Sequence, residues 1–203
     1  MLDRHAAALI QPAVDALAGV LARRRVTANQ LTVAGFLIGL AAAVLIASGA
    51  HLAGTTAIFL SRLCDALDGA VARRTQPTDQ GGFLDIALDF LFYASIPLAF
   101  AVADPTHNAL PAAVLLAAFI GTGTSFLAFA VMAAKRGMTS TAWPAKSFYF
   151  LGGLTEATET LAFFTAMGLW PRHFGTLAYV FAGLCAVTTA MRIVWGWRAF
   201  RPH

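Results

Sequence analysis

Charge is what this sequence has least of. Only 12% of its 203 residues are Asp, Glu, Lys or Arg, about half of the roughly 25% typical of soluble domains. With 59% hydrophobic residues and a mean hydropathy of +0.71, the chain cannot cover itself with polar surface. A membrane protein is expected, built as a single transmembrane domain over residues 1–203 with no soluble module large enough to fold alone. Cysteine is also scarce. Cys64 and Cys185 lie in separate apolar runs, which excludes a disulfide framework and makes them small reduced core residues. No stretch interleaves Lys and Arg with aromatic side chains, so the formal charge of +4 speaks for topology and anionic lipid headgroups and against nucleic acid. Internal repeats are missing too, which argues against repeat-built transporters.

What is present is a series of apolar runs. A span needs about 20 such residues, and runs at Leu31–Ala50, His51–Ala72, Gly82–Ala103, Ala109–Ala134, Phe148–Trp170 and Phe174–Trp195 predict an all-α protein with six transmembrane helices. The breaks between later runs, "DPTHN", "RGMTSTAWPAK" and "PRH", carry turn chemistry. If the helices alternate in direction, twelve basic residues (Arg4, Arg23, Arg24, Arg25, Arg73, Arg74, Lys135, Arg136, Lys146, Arg192, Arg198 and Arg201) fall on one side and only Arg172 on the other, with Arg62 inside a span. The positive-inside rule then puts both termini in the cytoplasm, with Trp195 and Trp197 at the inner interface.

Residues 1–25 precede the first span. Leu2, Leu9, Ile10, Val14, Leu17, Val20 and Leu21 recur there at helical spacing, with Asp3, Arg4, Gln11 and Asp15 between them. This predicts an amphipathic helix lying in the cytoplasmic interface, bent at Pro12, ahead of a six-helix bundle over 26–203. A cleaved signal peptide fits poorly, because Pro12 and Asp15 interrupt its apolar region and the arginines follow it. On the first span, Gly35 and Gly39 of "GFLIG" sit one turn apart and permit close helix contact, most simply within the chain.

The scarce charge is concentrated. Asp65 and Asp68 end the second run, and Asp85 and Asp89 begin the third. A carboxylate at the centre of a span costs roughly 2.5–3.5 kcal/mol on insertion scales, so something must offset four of them. Spacings of three and four put each pair on one helix face, and two antiparallel helices joined by a short loop bring the faces together. Such an all-oxygen site suits Mg²⁺ or Mn²⁺. Zinc is not suggested: His5 and His203 lie near the termini, and His51, His107 and His173 at the far-side loops. Four acidic ligands leave room for two metals clamping a pyrophosphate. A proton or cation relay in a transporter, or aspartates in a surface loop, would also place carboxylates here.

The stretch "DALDGAVARR…GGFLDIALD" resembles the signature of the CDP-alcohol phosphatidyltransferase family, D-x2-D-G-x2-A-R-x8-G-x3-D-x3-D. Asp65, Asp68, Gly69, Ala72, Arg73, Asp85 and Asp89 match it directly. Counting back from Asp85 makes Gly81 the motif glycine, one residue closer to Arg73 than usual, unless Gly82 takes the role. "VTANQLT" at 26–32 is similar to the family's T-P-N-x-L-T entry to the first span, with Ala28 in place of proline.

The resemblance implies an integral enzyme of the bacterial inner membrane, with a cytoplasmic-side active site and a homodimeric assembly. It would move a phosphatidyl group from CDP-diacylglycerol to a small alcohol and release CMP. By the same resemblance Asp65, Asp68 and Asp85 ligate a two-ion Mg²⁺ or Mn²⁺ site, and Asp89 is both ligand and general base. Gly69, Ala72, Arg73 and Gly81 line the CDP-lipid site, with Asn29, Thr32 and Thr78 as further candidates. Thr32 could equally back-bond within its helix, and Thr78 could be ordinary loop chemistry.

Glu156 and Glu159, expected inside the fifth span, are functional candidates as intramembrane carboxylates. They would line the acceptor pocket, form a structural polar pair, Arg62 being one partner, or face a water-filled cavity in protonated form. Lys135, Arg136, Lys146 and Arg192 either anchor the cytoplasmic side or supply counter-charge to an acceptor phosphate. The reading leans to a phosphorylated polyol such as glycerol 3-phosphate. Its rivals are a cation- or proton-coupled transporter and an inactive family member serving as a scaffold.

Overall fold

The structure, a computed structural model, describes residues 2–138 and 154–201. Among these residues all regular structure is helical: α1 Leu2–Arg23, α2 Ala28–Ala47, α3 His51–Arg74, α4 Asp79–Ala103, α5 Pro105–Lys135, α6 Ala157–Leu169 and α7 Phe174–Ala199, with a 3₁₀ turn at Pro171–His173. Local chemistry sets the boundaries. Thr27 starts α2 with a capping box: its Oγ1 accepts from Gln30 N, and Gln30 Oε1 accepts from Thr27 N at 3.0 Å. Gly49, at φ +86°, makes the turn out of α2. Thr78 caps α4, and Asp104 caps α5 just ahead of Pro105.

Among the described residues, four stretches are long and apolar enough to cross a membrane: Ala28–Ala47, Asp79–Ala103, Pro105–Lys135 and Pro171–Ala199. The sequence predicts six. At 1.5 Å per residue, the 24 residues of α3 would reach about 36 Å, yet Arg62, Asp65, Asp68, Arg73 and Arg74 make its second half too polar to qualify. The expected start of the next helix at Phe148 is corrected. Residues 148–153 lie outside the described residues, Leu154 to Glu156 are not helical, and α6 begins only at Ala157 with 13 residues.

Helix α2 packs on both α3 and α4, while α5 packs on α4 and α7. The close approach on α2 rests on its glycines. A Cβ on Gly35 would stand 2.9 Å from Cys64 Cβ, and one on Gly39 would collide with the Phe92 ring. The glycine pair thus serves packing within the chain. The core joins Ile46, Ile58, Phe92, Ile96, Phe100, Leu115, Phe164, Met167, Phe174 and Phe181. Stacked rings tie α4 to α7 through Phe100 and Phe174, 4.6 Å apart, and α6 to α7 through Phe163 and Phe181 at 4.4 Å. A separate small cluster fixes α1: Val14 and Ala18 pack on Leu67, Ala70 and Val71 of α3. Helix α1 runs through Pro12 to Arg23, with Ile10, Leu17 and Val20 exposed. Cys64 and Cys185 are free thiols.

Candidate active site

Three helix ends meet where the chain concentrates its charge. The loop 75–78 turns α3 back into α4, which lays the faces carrying Asp65 and Asp68 against those carrying Asp85 and Asp89. One oxygen from each of Asp65, Asp68 and Asp85 lies within 4.8 Å of the other two. An ion bound at about 2.0–2.1 Å to each ligand spans oxygens up to ~4.2 Å apart, so small side-chain adjustments suffice to close these three on one hard cation. Histidine and thiol are absent from this group, which suits a hard cation.

Helix α2 contributes the neutral partners. Thr32 Oγ1 donates to Asp68 Oδ2 at 2.7 Å and also lies 3.1 Å from the Ala28 carbonyl. Asp68 is 6% exposed, so this donor steadies one carboxylate oxygen where water does not reach. Asn29 Oδ1 lies 3.0 Å from where a Cβ on Gly81 would stand, and Thr78 Oγ1, which accepts from Gly81 N at 3.1 Å, lies 3.1 Å from it. Asn29, Thr78 and Gly81 therefore form one corner, and Gly81 is the glycine that fits it. Gly82 has open space around it. On α3, Gly69 lies under the Arg73 guanidinium, 3.3 Å from its would-be Cβ. Ala72 is half-buried in the next turn, and Arg73 is exposed at the helix end.

The fourth aspartate, Asp89, adjoins the group at Asp65. Arg62 Nη1 donates to Asp89 Oδ1 at 2.7 Å and lies 3.3 Å from Asp65 Oδ1. The guanidinium rests on the Phe92 ring, 4.0 Å from its centroid, and near Tyr93 at 5.4 Å. A recess of about 10 Å³ between these groups is lined by Thr32, Gly35, Phe36, Arg62, Asp65, Asp85, Leu88 and Asp89.

The family model described as CDP-alcohol phosphatidyltransferase matches residues 25–195. The chain belongs to that family. The inner membrane protein YnjF of Escherichia coli (strain K12) is 49% identical over 193 residues, covering 95% of this chain and 94% of its own. The archaetidylinositol phosphate synthase of Methanothermobacter thermautotrophicus is 48% identical over 65 residues, 32% of this chain and 33% of its own. Among solved structures, the phosphatidylinositol phosphate synthase PgsA1 of Mycobacterium tuberculosis in complex with manganese and citrate superposes with a TM-score of 0.74 at 21% identity, covering 94% of this chain and 93% of that one. Its form with CDP-DAG bound gives a TM-score of 0.73 at 21% identity, covering 94% and 98%. These structures share the fold.

In this CDP-alcohol phosphatidyltransferase a second space opens on the other side of α4. A cavity of about 700 Å³ lies between α4, α5, α6 and α7, mostly apolar, with Thr155, Glu156, Thr160, Thr122, Thr124 and Arg192 as its polar lining. Phe90 and Tyr93, one residue and one turn beyond Asp89, form its α4 wall. Glu156 is the non-helical residue ahead of α6 and the acidic neighbour of Arg192. Glu159 instead caps the start of α6, its Oε2 accepting from Glu156 N at 3.1 Å. Neither pairs with Arg62, whose ionic partners are Asp65 and Asp89.

Arg192 is the larger surprise. Expected at the cytoplasmic end of the last span, it is 8% exposed, donates to the Thr122 carbonyl at 3.1 Å and stands over the Phe126 ring at 5.5 Å. Helix α7 runs past the expected end at Trp195 to Ala199, and its packing on α5 draws Arg192 inside. Lys135 ends α5, exposed, and lines neither cavity; Lys146 lies outside the described residues. Sequence reasoning puts Arg62 at span depth near the aspartates but does not single out Asp89 as its partner. Its one available signal is its position three residues ahead of Asp65, on the same helix face.

Proposed function

We propose that this protein makes phospholipid in a bacterial inner membrane, transferring the phosphatidyl group of CDP-diacylglycerol to an alcohol and releasing CMP. The observation that carries the reading is the three-carboxylate group of Asp65, Asp68 and Asp85, set inside the residues that the family model matches. These residues would hold a divalent cation, Mg²⁺ or Mn²⁺, which supplies charge neutralisation at the pyrophosphate.

The residues of the chain divide the remaining work. Asp89 takes the proton of the acceptor hydroxyl, a poor nucleophile at neutral pH. The alcohol oxygen attacks the phosphorus bearing the diacylglycerol, and the bond to the CMP oxygen breaks with its electron pair going to CMP. Gly69, Ala72 and Gly81 keep the backbone open to the nucleotide, Arg73 binds phosphate, and Asn29, Thr78 and Thr32 hold the corner around Gly81 and Asp68. Both termini and this site face the cytoplasm, α1 lies in the interface, and the chain works as a homodimer.

The cavity beside α4 is the acceptor pocket, with Glu156 and Arg192 as its charged pair and Glu159 supporting it from the first turn of α6. A buried arginine favours an acceptor that itself carries phosphate, such as a polyol phosphate. That agrees in kind with the archaetidylinositol phosphate synthases among the relatives. Family membership favours neither the transporter nor the scaffold reading.

CMP release from CDP-diacylglycerol by purified protein in detergent, with Mg²⁺ or Mn²⁺ and a panel of acceptors, tests the reading. Chelator-sensitive release with one acceptor is expected. Folded protein that releases no CMP with any acceptor would refute it.

A further inference from the structure

Helix α1 closes through a left-handed residue. Val26 N donates to the Leu21 carbonyl at 3.1 Å and Arg25 N to the Ala22 carbonyl at 3.0 Å, the paired bonds of a Schellman motif. The residue between them is Arg25, at φ +60°. Glycine takes this conformation freely and asparagine often does, whereas a long side chain crowds its own backbone there. Among the described residues Arg25 is the one non-glycine residue with positive φ. The turn is fixed from the other side as well, since Thr27 starts α2 with its capping box. Neither cap uses the Arg25 side chain, which is exposed.

Arg25 is not alone. Arg23 and Arg24 are exposed beside it. Arg74, at the end of α3, lays its guanidinium over α1 at Gly19, 3.4 Å from where a Cβ would stand. Gly19 lies one turn ahead of Arg23, so these arginines gather where α1 meets α3. Among the described residues none of them has a carboxylate partner. The helix dipole favours a cation in the last turn, a place that Arg23 already fills. Keeping charge on the cytoplasmic side takes arginines in number, not one in a left-handed turn. Ile10, Leu17 and Val20 are exposed on the same helix, which sets the charge beside an apolar surface, as phosphates lie beside acyl chains in a leaflet. Arginine, whose fork meets a phosphate with two parallel bonds, stands at every one of these positions.

We infer that Arg23, Arg24, Arg25 and Arg74 form a headgroup site for an anionic phospholipid of the leaflet that holds α1, separate from the nucleotide corner at Asn29, Thr78 and Gly81. The lipid is a resident molecule and not a substrate. Its phosphate neutralises the arginines, and its chains lie along the exposed face of α1. Since Val14 and Ala18 of α1 pack on Leu67, Ala70 and Val71 of α3, a filled site steadies the helix that carries Asp65 and Asp68. Arg25 keeps its unfavourable backbone because a turn fixed at both ends presents the charge in one place.

Thermal midpoints of the purified full-length chain, in micelles containing phosphatidylglycerol or phosphatidylcholine, test the site and need no enzyme activity. The wild type should melt higher with phosphatidylglycerol, and molar salt, which screens charges beyond about 3 Å, should remove the gain. Arg25→Gly should melt above the wild type in phosphatidylcholine, because the turn is relieved, yet gain less from phosphatidylglycerol. Arg24→Gln should lose gain without that relief. A wild type indifferent to phosphatidylglycerol would overturn the inference, and so would an Arg25→Gly protein that keeps the full gain. An Arg25→Gly protein no more stable than the wild type in phosphatidylcholine would overturn the argument that the arginine stands against the backbone's preference. Inorganic phosphate should not reproduce the gain; an Arg25-dependent rise with it would make this a site for free phosphate and remove the lipid. Should one variant fail to fold, the other still reads the gain.

Discussion

Arg62 and Asp89 join α3 to α4 through a 2.7 Å contact between Nη1 and Oδ1, with the two side chains 14% and 31% exposed. Removing one partner of a buried pair costs about 3–5 kcal/mol, because the other charge stays behind without compensation. Asp89 keeps some contact with solvent, so the low end, about 3 kcal/mol, applies to Arg62→Met. A clear fall in the thermal midpoint of the detergent-solubilised protein is expected, read in chelator so that bound metal does not mask it. Adding Asp89→Asn should recover part of the loss. An unchanged midpoint for Arg62→Met would mean that the pair contributes nothing to the fold.

Asp89→Asn keeps an oxygen for Arg62 but removes the base. General-base catalysis contributes about 10²- to 10⁴-fold, so CMP release should fall by at least about two orders of magnitude. Binding of CDP-diacylglycerol should be largely spared, as measured by its protection of the protein against thermal unfolding. Full activity in this variant would move the base elsewhere.

Thr32 orients Asp68 through its 2.7 Å hydrogen bond. Groups that position a metal ligand typically account for 10- to 100-fold in metal affinity or activity. Thr32→Val should therefore raise the Mn²⁺ concentration for half-maximal activity by about tenfold or more, and Thr32→Ser should restore it. If valine and serine behave alike, the hydroxyl serves only its own helix.

What the sequence discloses and what it withholds divide along physical lines. Asp65, Asp68, Asp85 and Asp89 are legible because charge in an apolar run is costly and their spacing is helical. The glycines of α2 and the boundaries of α3 and α4 are legible for similar local reasons. The partnerships are not. Arg62 meets Asp89 across 27 positions, and Arg192 meets Thr122 across 70, distances at which periodicity says nothing about contact. Counting arginines by side treats Arg192 as an anchor, since the same residue type serves both at an interface and inside a cavity. The start of α6 is misplaced because the interruption at Gly152, Gly153, Thr155 and Glu156 reads as part of one long span, whereas the cap formed by Glu156 and Glu159 marks a helix start there.

Gly39 faces the Phe92 ring so closely that any Cβ must displace it, and Phe92 supports Arg62. Overpacking a close helix contact costs about 1–3 kcal/mol. Gly39→Ala should lower the thermal midpoint accordingly and reduce CMP release beyond what instability explains. Gly82→Ala, at a position with no atom within 4 Å of the new Cβ, should leave the midpoint unchanged. Equal effects at the two glycines would show that the α2–α4 contact yields without cost.

Arg192 offers the sharpest test of where the acceptor sits. It is 8% exposed, one guanidinium nitrogen serves the Thr122 carbonyl, and Nε is buried without a partner. An acceptor phosphate entering the cavity would meet that donor and satisfy it. A hydrogen bond to a charged group contributes about 1.5–3 kcal/mol, so Arg192→Gln should raise the acceptor KM by roughly 10- to 100-fold. The KM for CDP-diacylglycerol should stay near wild type, because the nucleotide corner at Asn29, Thr78 and Gly81 lies away from this cavity. Glu156→Gln should shift preference among acceptors by removing the acidic side of the cavity. A merely structural arginine would behave differently: its loss would lower the thermal midpoint and scale kcat for every acceptor alike. Steady-state kinetics with both substrates varied in turn, beside a melting curve, separates the two outcomes. An acceptor KM that does not move in a folded Arg192→Gln protein would place the acceptor outside this cavity.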